Sequence, residues 1–405
     1  MAKLQEQRWF GWLIAILAMT IVMVSNGMVN TGLTVYDESL INQFGWSVGE
    51  LKTRDTITFA VSAVLIMVAG SLVDRYGTKP LILAGMAMLS VGFVLYSMIG
   101  SLTDVYLLHI GLAVALACSG NMAGIVTAAT WLPQRRGIAI GIAIAGTSVG
   151  GMLVPPFANW LNQTYGWQLA MRIEALVPLT LLLVVFFLLP AGKPKRNAQQ
   201  TEDSSNDENE GIPYRQVLRS PSFYLIAAAG AMTYYAILGI FQHLFLYMRS
   251  HDFEPSQAAL AFTVLSFPAL CAKLFSGWLA DKVNAVMLFQ AVMVLMTIGA
   301  IGIAQVPEQI WLFLVLTGLG WGSLHTLYNF ILIKLYGLLD AGKINATISF
   351  AEGAGGALGI LLTGVLYDLT SSYALPFGVI AALMVTGTIL IILLGRFKQT
   401  RLNLA

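Results

Sequence analysis

Apolar runs long enough to cross a lipid bilayer recur from Phe10 to Leu394, and this repetition restricts the chain more than any other feature. In hydrocarbon the backbone must satisfy its own hydrogen bonds, so a run of roughly twenty apolar residues crossing a core of about 30 Å is expected to be helical. Twelve spans are predicted, near 11–36, 48–73, 80–100, 105–132, 137–161, 167–190, 223–248, 257–280, 285–304, 310–336, 344–367 and 374–395. Composition agrees, since charged residues are 10% of the chain where a soluble domain carries about 25%. The expected fold is all-α and membrane-embedded, with twelve transmembrane helices in two pseudo-symmetric six-helix bundles. Polar residues inside the second, fourth and tenth spans leave eleven or thirteen as alternatives.

Charge sets the expected orientation. Seventeen Lys and Arg residues lie on the side of both termini, and four lie opposite: Lys52, Arg54, Arg172 and Arg249. Lys273 belongs to neither side. By the positive-inside rule both termini are cytoplasmic. The first ten residues could pass for the n-region of a signal peptide, but the apolar run behind them is too long and has no small-residue cleavage site. It reads as a retained first helix. Cys118 and Cys271 fall inside spans, which indicates no disulfide framework. His109, His243, His251 and His325 are scattered, with no metal-ligand spacing, and a net charge of +2 argues against nucleic-acid binding.

One long polar stretch, 191–222, joins basic residues to an acidic, Asn- and Ser-rich run that cannot build a core. It reads as a cytoplasmic linker between an N-terminal bundle, 1–190, and a C-terminal bundle, 223–405. Halves of similar size prompt a search for an internal repeat. GSLVDRYGTKP places Gly70, Asp74, Arg75, Gly77 and Lys79 at the cytoplasmic end of the second span. GWLADKV places Gly277, Asp281 and Lys282 at the end of the eighth, an offset of 207 residues. At almost the same offset, IAIAGTSVGGMLVPPFANWLNQTYG (142–166) parallels ISFAEGAGGALGILLTGVLYDLTSSY (348–373) in glycine placement. At such a loop glycine permits close backbone approach, the acid can accept hydrogen bonds at a neighbouring helix N-terminus, and the bases face the interface. A generic positive-inside loop is the plainer alternative, and the repeat argues against it.

With its G-x-x-x-D-R-x-G-x-K loop, twelve spans and central linker, the whole chain resembles the major facilitator superfamily. WLPQRRGIAIGIAIAGTSVGG and FAEGAGGALGILLTGVLYDLTSSY carry a narrower likeness to the monocarboxylate-porter and oxalate–formate-antiporter branch. The resemblance implies the major facilitator fold and transport of a small organic anion. It also implies that Lys273 stands where the family typically has an Arg that binds the anionic substrate. In the oxalate–formate exchangers the position of Glu352 carries a second cation, and here the sign is reversed.

An ionisable side chain at membrane depth costs about 2.5–3.5 kcal/mol on insertion scales, so each one needs a partner or a function. Lys273 lies eight residues before Asp281 and Glu352 nine after Lys343, which puts both about 12–13 Å from the cytoplasmic face. One reading is a structural ion pair. The other has Lys273 anchoring a substrate carboxylate, without the bidentate fork of an Arg, while Glu352 carries a coupling proton. One cation and one acid suit a monoanion with a proton, or a zwitterion, better than a dianion.

Further candidates for substrate contact are Asn30 and Thr31 on the first span, Asn121 on the fourth, Tyr234 on the seventh, and Trp321, His325 and Tyr328 on the tenth, with Tyr235 and Asn329 beside them. Each could equally be an interhelical hydrogen bond or packing. Asp37, Glu38, Glu50, Arg54, Asp55, His109, Arg172, Glu174, His243, His251 and Asp252 lie near the outer ends within reach of water, and read as solvated groups or gate pairs. Ser47 and Glu50 fit a capping box opening the second helix. Gly137, Gly141, Gly146 and Gly150 in the fifth span, and Gly353, Gly355, Gly356 and Gly359 in the eleventh, permit close helix crossing. Pro155 and Pro156 interrupt the fifth.

No G-x-x-x-x-G-K-[ST] loop is present, so energy is expected from a gradient. The expected function is secondary active transport of a small, monocarboxylate-like organic anion, with a proton as the co-substrate and alternating access as the mechanism, and no cofactor or metal is expected. The alternatives are a zwitterion or cation carrier using Glu352, an anion exchanger, or a non-transporting membrane sensor. No enzyme chemistry is evident. The expected setting is a bacterial inner (plasma) membrane, with the chain multi-pass, monomeric and in contact with lipid.

Overall fold

The structure, a computed structural model, describes residues 8–190, 211–337 and 339–402. Among these, eleven helices are long and apolar enough to cross a membrane, and a twelfth crosses as a pair bent by 53°. In chain order they are α1 (Trp9–Phe44), α2 (Val48–Tyr76, the bent one), α3 (Thr78–Tyr96), α4 (Leu102–Trp131), α5 (Pro133–Tyr165) and α6 (Trp167–Leu188). After the linker come α7 (Pro221–Arg249), α8 (Pro255–Ala280), α9 (Val286–Gln305), α10 (Pro307–Tyr336), α11 (Ala341–Thr370) and α12 (Ala374–Leu394). The Ser47–Glu50 capping box forms as expected, with the Glu50 amide donating to Ser47 Oγ and the Ser47 amide to Glu50 Oε2.

Two compact units emerge, and each contains parts of α7 and α8. The first is Met1–Pro194 with Phe241–Phe267, the second Lys195–Ile240 with Pro268–Ala405. Within the first, α5 crosses α1 closely. A Cβ on Gly146 would lie 2.3 Å from the Met19 carbonyl oxygen, and one on Gly150 2.6 Å from that of Met23. Within the second, α11 crosses α7 the same way, with Gly355 facing the Ala231 carbonyl at 2.1 Å and Gly359 that of Tyr235 at 2.2 Å. Each crossing sets two glycines four residues apart against two carbonyls four residues apart. Only glycine lets helices approach so closely. Not every glycine of these runs takes part: Gly137, Gly141 and Gly353 face open space.

The loop motif of the first half turns on Gly77, whose φ of +81° is open to glycine at no steric cost. Lys79 Nζ donates to the Phe186 carbonyl at 2.8 Å and lies over the Phe186 ring, while Arg75 lies over Tyr76. Gly70 packs on the Met122 side chain. Asp74 is exposed and caps no helix among the described residues, unlike the expectation for it. In the second half Lys282 lies over the Trp278 ring at 3.9 Å, and Asn284 Oδ1 caps α9 by accepting from Val286 and Met287. The surroundings of Gly277 and the side chain of Asp281 lie outside what the structure describes.

Of the linker, 191–210 lies outside the described residues, and the segment that follows is strapped to the α10–α11 loop. Gly211 pairs with Gly337, the Ile212 amide donates to the Tyr336 carbonyl at 2.8 Å, and the Tyr214 amide to Asp340 Oδ2 at 2.9 Å. Tyr214 Oη meets Thr347 Oγ1 at 2.8 Å, and Lys343 Nζ donates to Asp340 Oδ1 at 2.8 Å.

Candidate functional site

In the second unit the sequence candidates gather on α7, α8, α10 and α11. Glu352 is buried, as the carboxyl of a helix whose glycine face presses on α7. Space for it is left by Gly230, where a Cβ would come within 3.2 Å of Glu352 Cγ and 2.7 Å of Tyr328 Oη. Gly230 was not among the sequence candidates, because one glycine in an apolar helix gives no signal of what lies opposite. Tyr328 is buried and donates to the Ile226 carbonyl at 2.7 Å, with its ring edge-on to Phe289. The Tyr234 and Tyr328 hydroxyls lie within electrostatic reach of the Glu352 carboxyl. Tyr234 meets Trp321 in a T-shaped contact at 5.6 Å.

Lys273 is half-buried on α8, in the same unit. Glu352 lies on α11 of the same unit, and both positions fall within membrane-spanning helices. The side chains of His325 and Asn329 lie outside the described residues, although both positions fall on α10.

In the first unit, Asn30 and Thr31 sit where α1 changes its winding. The helix runs as α over Arg8–Asn26, as π over Gly27–Gly32, as 3₁₀ over Leu33–Tyr36 and as α again over Asp37–Phe44. Gly27 and Gly32 both press against the Val154 side chain of α5. Thr31 Oγ1 donates to the Gly27 carbonyl at 2.8 Å, and Asn30 Nδ2 donates to Asn26 Oδ1 at 3.3 Å. Single π-turns inside α-helices occur often at functional sites because they release backbone groups from the regular ladder.

Beside this turn α4 is broken. It stops at Ser119, passes Gly120 in extended conformation and restarts at Asn121 without a side-chain cap. Helix α1 spans the break: Ser25 Oγ donates to the Ser119 carbonyl at 2.8 Å, and Asn26 Nδ2 donates to Asn121 Oδ1 at 3.3 Å. Asn30, Asn26 and Asn121 therefore form one chain of amides along α1 and α4. Asn26 and Ser25 escaped sequence reasoning because the break that employs them has no proline to announce it. Irregular backbone at membrane depth is tolerated where it lines a cavity or is buried in protein.

The groups expected near water at the outer ends require a correction. Asp37, Arg54, His109 and His243 are 0% exposed, Asp55 3% and Glu174 2%, and Lys52, beside Asp37, is also 0% exposed. Lys52 Nζ lies 2.5 Å from Asp37 Oδ2, Arg54 pairs with the other Asp37 oxygen, and Asp55 stands 3.5 Å from each cation. Arg54 also donates to Tyr96 Oη at 2.9 Å and to the Leu33 carbonyl at 3.3 Å. His109 meets Tyr96 Oη at 3.3 Å and Thr58 Oγ1 at 2.8 Å. Two acids and two bases thus neutralise one another between α1 and α2. Lys52 and Arg54 are two of the cations that run against the positive-inside rule. A third, Arg249, makes a two-point contact with Glu38, and the fourth, Arg172, donates to Ser97 Oγ.

Comparison with known proteins follows this geometry. The Major Facilitator Superfamily profile matches residues 11–337 and 246–403. Monocarboxylate transporter 13 of Rattus norvegicus is 24% identical over 403 residues, covering 96% of this chain and 90% of that protein. The oxalate:formate antiporter of Oxalobacter formigenes is 24% identical over 369 residues, covering 87% and 85%. In three dimensions the chain is similar to a bacterial homologue of the human lysosomal transporter Spinster, with a TM-score of 0.76 at 17% identity over 96% of this chain and 98% of that one. With a family profile spanning its length, relatives that align almost end to end and the same helical architecture, the chain belongs to the major facilitator superfamily of membrane transporters.

Proposed function

We propose that this transporter moves a small organic monoanion together with a proton by alternating access, with Lys273 as the anion anchor and Glu352 as the proton carrier. The observation that carries the reading is Glu352, a buried carboxyl on α11 packed beside Gly230 and Tyr328, with Lys273 on α8 of the same unit. An acid buried inside a membrane-spanning helix is costly unless it serves a function, and exchange of a proton during a cycle is such a function. A cation at membrane depth in the same unit is the group that a carboxylate substrate would seek. Relatives named for monocarboxylates and for oxalate and formate support a carboxylate as cargo. Charge balance favours a monoanion, since one anchoring cation leaves a dianion half neutralised.

Asn30, Thr31, Asn121, Tyr234, Trp321, His325 and Tyr328 would supply the polar and aromatic remainder of the site. The Gly70–Lys79 loop and its counterpart at Gly277, Asp281 and Lys282 would brace the conformational change. We place the chain as a monomer in a bacterial inner membrane with both termini cytoplasmic, organised as bundles 1–190 and 223–405 about the 191–222 linker.

Uptake into proteoliposomes tests this. Lys273→Ala is expected to abolish uptake, while Glu352→Gln spares exchange and loses accumulation driven by a pH gradient. Normal pH-driven accumulation by Glu352→Gln removes its coupling role. The tyrosines beside Glu352 favour one second reading, in which the acid and its aromatic neighbours receive the cationic end of a zwitterion. Competition by betaines but not by lactate-like acids would select it.

A further inference from the structure

Glu174 is the buried acid of the first unit that the charge cluster does not absorb. It ends the first segment of α6, Trp167–Glu174, and the helix resumes at Leu176 after a turn at Ala175. Pro178, which has no N–H, takes away the ladder donor of the Glu174 carbonyl. The side chain is 2% exposed, neither carboxyl oxygen makes a hydrogen bond, and among the described residues no ion pair reaches it. Nearby cations are committed elsewhere: Lys52 and Arg54 to Asp37 and Asp55, and the exposed Arg172 to Ser97 Oγ. A carboxyl buried this deeply without compensation is costly.

Two more unsatisfied oxygens reach the same level. Helices α1 and α6 run in opposite directions, and Gln43 accepts from Trp167 Nε1 at 2.6 Å. Seven residues back along α1 and seven on along α6, Tyr36 therefore meets the level of Glu174. The Tyr36 hydroxyl lies within electrostatic reach of that carboxyl without a hydrogen bond to it. Helices α1 and α5 run in the same direction, with Gly32 against Val154 and Ser39 exchanging hydrogen bonds with Asn162, and this register sets Asn159 at the level of Tyr36. Tyr36 is 0% and Asn159 5% exposed, and Tyr36 Oη and Asn159 Oδ1 have no hydrogen-bond partner among the described residues. Four oxygens from three helices thus share one level, all buried and bonded neither to one another nor to other groups. Buried polar atoms are nearly always satisfied, so a set of this kind calls for a ligand that oxygens recognise.

We propose that Glu174, Asn159 and Tyr36 form a binding site for one Na⁺ ion between α1, α5 and α6. Glu174 supplies the counter-charge, and the amide and hydroxyl oxygens complete the coordination. Carboxylate and neutral oxygens are the ligands a hard cation takes. One carboxylate matches one positive charge, whereas a divalent ion would leave a charge buried and unpaired. A proton alone would join these oxygens through direct hydrogen bonds, and none is formed. An ion touching each of them holds them together as ligands without bonds between them. The site belongs to the first unit and does not depend on the roles given to Lys273 and Glu352 in the second.

Thermal unfolding of the purified protein in detergent tests this without any transport substrate. NaCl is exchanged for choline chloride at constant ionic strength, which holds screening fixed, and at alkaline pH, where protons compete least. At a Na⁺ concentration tenfold above the dissociation constant, the parent Tm is expected to rise by roughly 3–6 °C. Glu174→Gln keeps the shape and removes the charge, and is expected to abolish the rise. Tyr36→Phe and Asn159→Ala each remove one ligand and are expected to raise the half-maximal Na⁺ concentration at least about fivefold. Binding of radioactive Na⁺ to the parent and to Tyr36→Phe, which loses a single hydroxyl, decides the matter should Glu174→Gln fail to fold. A parent Tm that is the same in both salts overturns the site. So does a Na⁺ response that persists in Glu174→Gln, or a parent whose Tm follows pH and not Na⁺, which would leave a proton as the ligand.

Discussion

Asp37→Asn isolates the value of the buried charge cluster. Asp37 gives one oxygen to Lys52 at 2.5 Å and the other to Arg54, and Asp55 approaches both cations only at 3.5 Å. The substitution keeps shape and hydrogen-bonding capacity but leaves two buried cations facing one distant carboxylate, so the cluster passes from neutral to a charge of +1. Removing one partner of a buried pair costs about 3–5 kcal/mol. The lower figure applies, because Arg54 keeps Tyr96 Oη and the Leu33 carbonyl. At about 2–4 °C per kcal/mol for a folding unit of 150–250 residues, 3 kcal/mol corresponds to a fall of roughly 6–12 °C in Tm. Thermal unfolding of the purified protein in detergent, followed by tryptophan fluorescence, measures it. Adding Lys52→Gln restores neutrality, and the double variant is expected to recover at least about 1 kcal/mol relative to the sum of the singles. A Tm for Asp37→Asn within about 2 °C of the parent, or strict additivity in the double variant, would refute the account of a charge-balanced cluster.

Two further outcomes follow from geometry at other places. Gly355→Ala sets a methyl 2.1 Å from the Ala231 carbonyl where ordinary contact begins at 3.4 Å, so α11 must retreat by 1.3 Å (3.4 − 2.1). Overpacking of this kind costs about 1–3 kcal/mol, whereas Gly353→Ala, two residues away and facing open space, is expected to leave thermal stability unchanged. Equal losses would deny the crossing. At the linker strap, the Lys343 ammonium and then the Tyr214 amide hold the Asp340 carboxyl below its ordinary pKa. A depressed carboxyl stabilises above its unfolded pKa and loses that contribution as pH falls through its folded value, so the strap is expected to hold until the pH drops below about 4. The protection of the Tyr214 amide, measured as its exchange rate relative to the intrinsic rate at each pH, should then fall with acid in the parent and be low at every pH in Asp340→Ala; protection that is the same in both proteins would contradict it.

How far the sequence reached depended on whether the deciding partner was local. The twelve spans and the Ser47–Glu50 box were legible because each is fixed by neighbours in sequence. The glycine runs announced close crossings, but spacing could not tell Gly146 and Gly150, which meet α1, from Gly137 and Gly141, which meet nothing. Which face of a helix is used is chosen by the partner helix. The break at Gly120 and the π-turn at Gly27–Gly32 were illegible for the same reason, since Ser25, Asn26 and Val154 stabilise them from other elements or other turns. Asp37, Arg54 and Asp55 were visible as charges and read as solvated groups or gate pairs within reach of water, whereas they are buried with Lys52. The available clue was that Lys52 and Arg54 sit on the side poor in cations, which neutral pairing explains.

The two halves repeat a packing scheme and both bury ionisable groups. In the first, Asp37 is held by Lys52 and Arg54 in a cluster that Asp55 brings to no net charge, while Glu174 is buried outside it. In the second, Glu352 is buried at membrane depth beside Gly230 and Tyr328. Burying a charge without fixing it to a counter-charge is costly in membrane, and a chain carries that cost where the charge must change partner. The first half has charges that stay, and it contributes a polar backbone, the amide chain of Asn30, Asn26 and Asn121 along an irregular α1 and a broken α4.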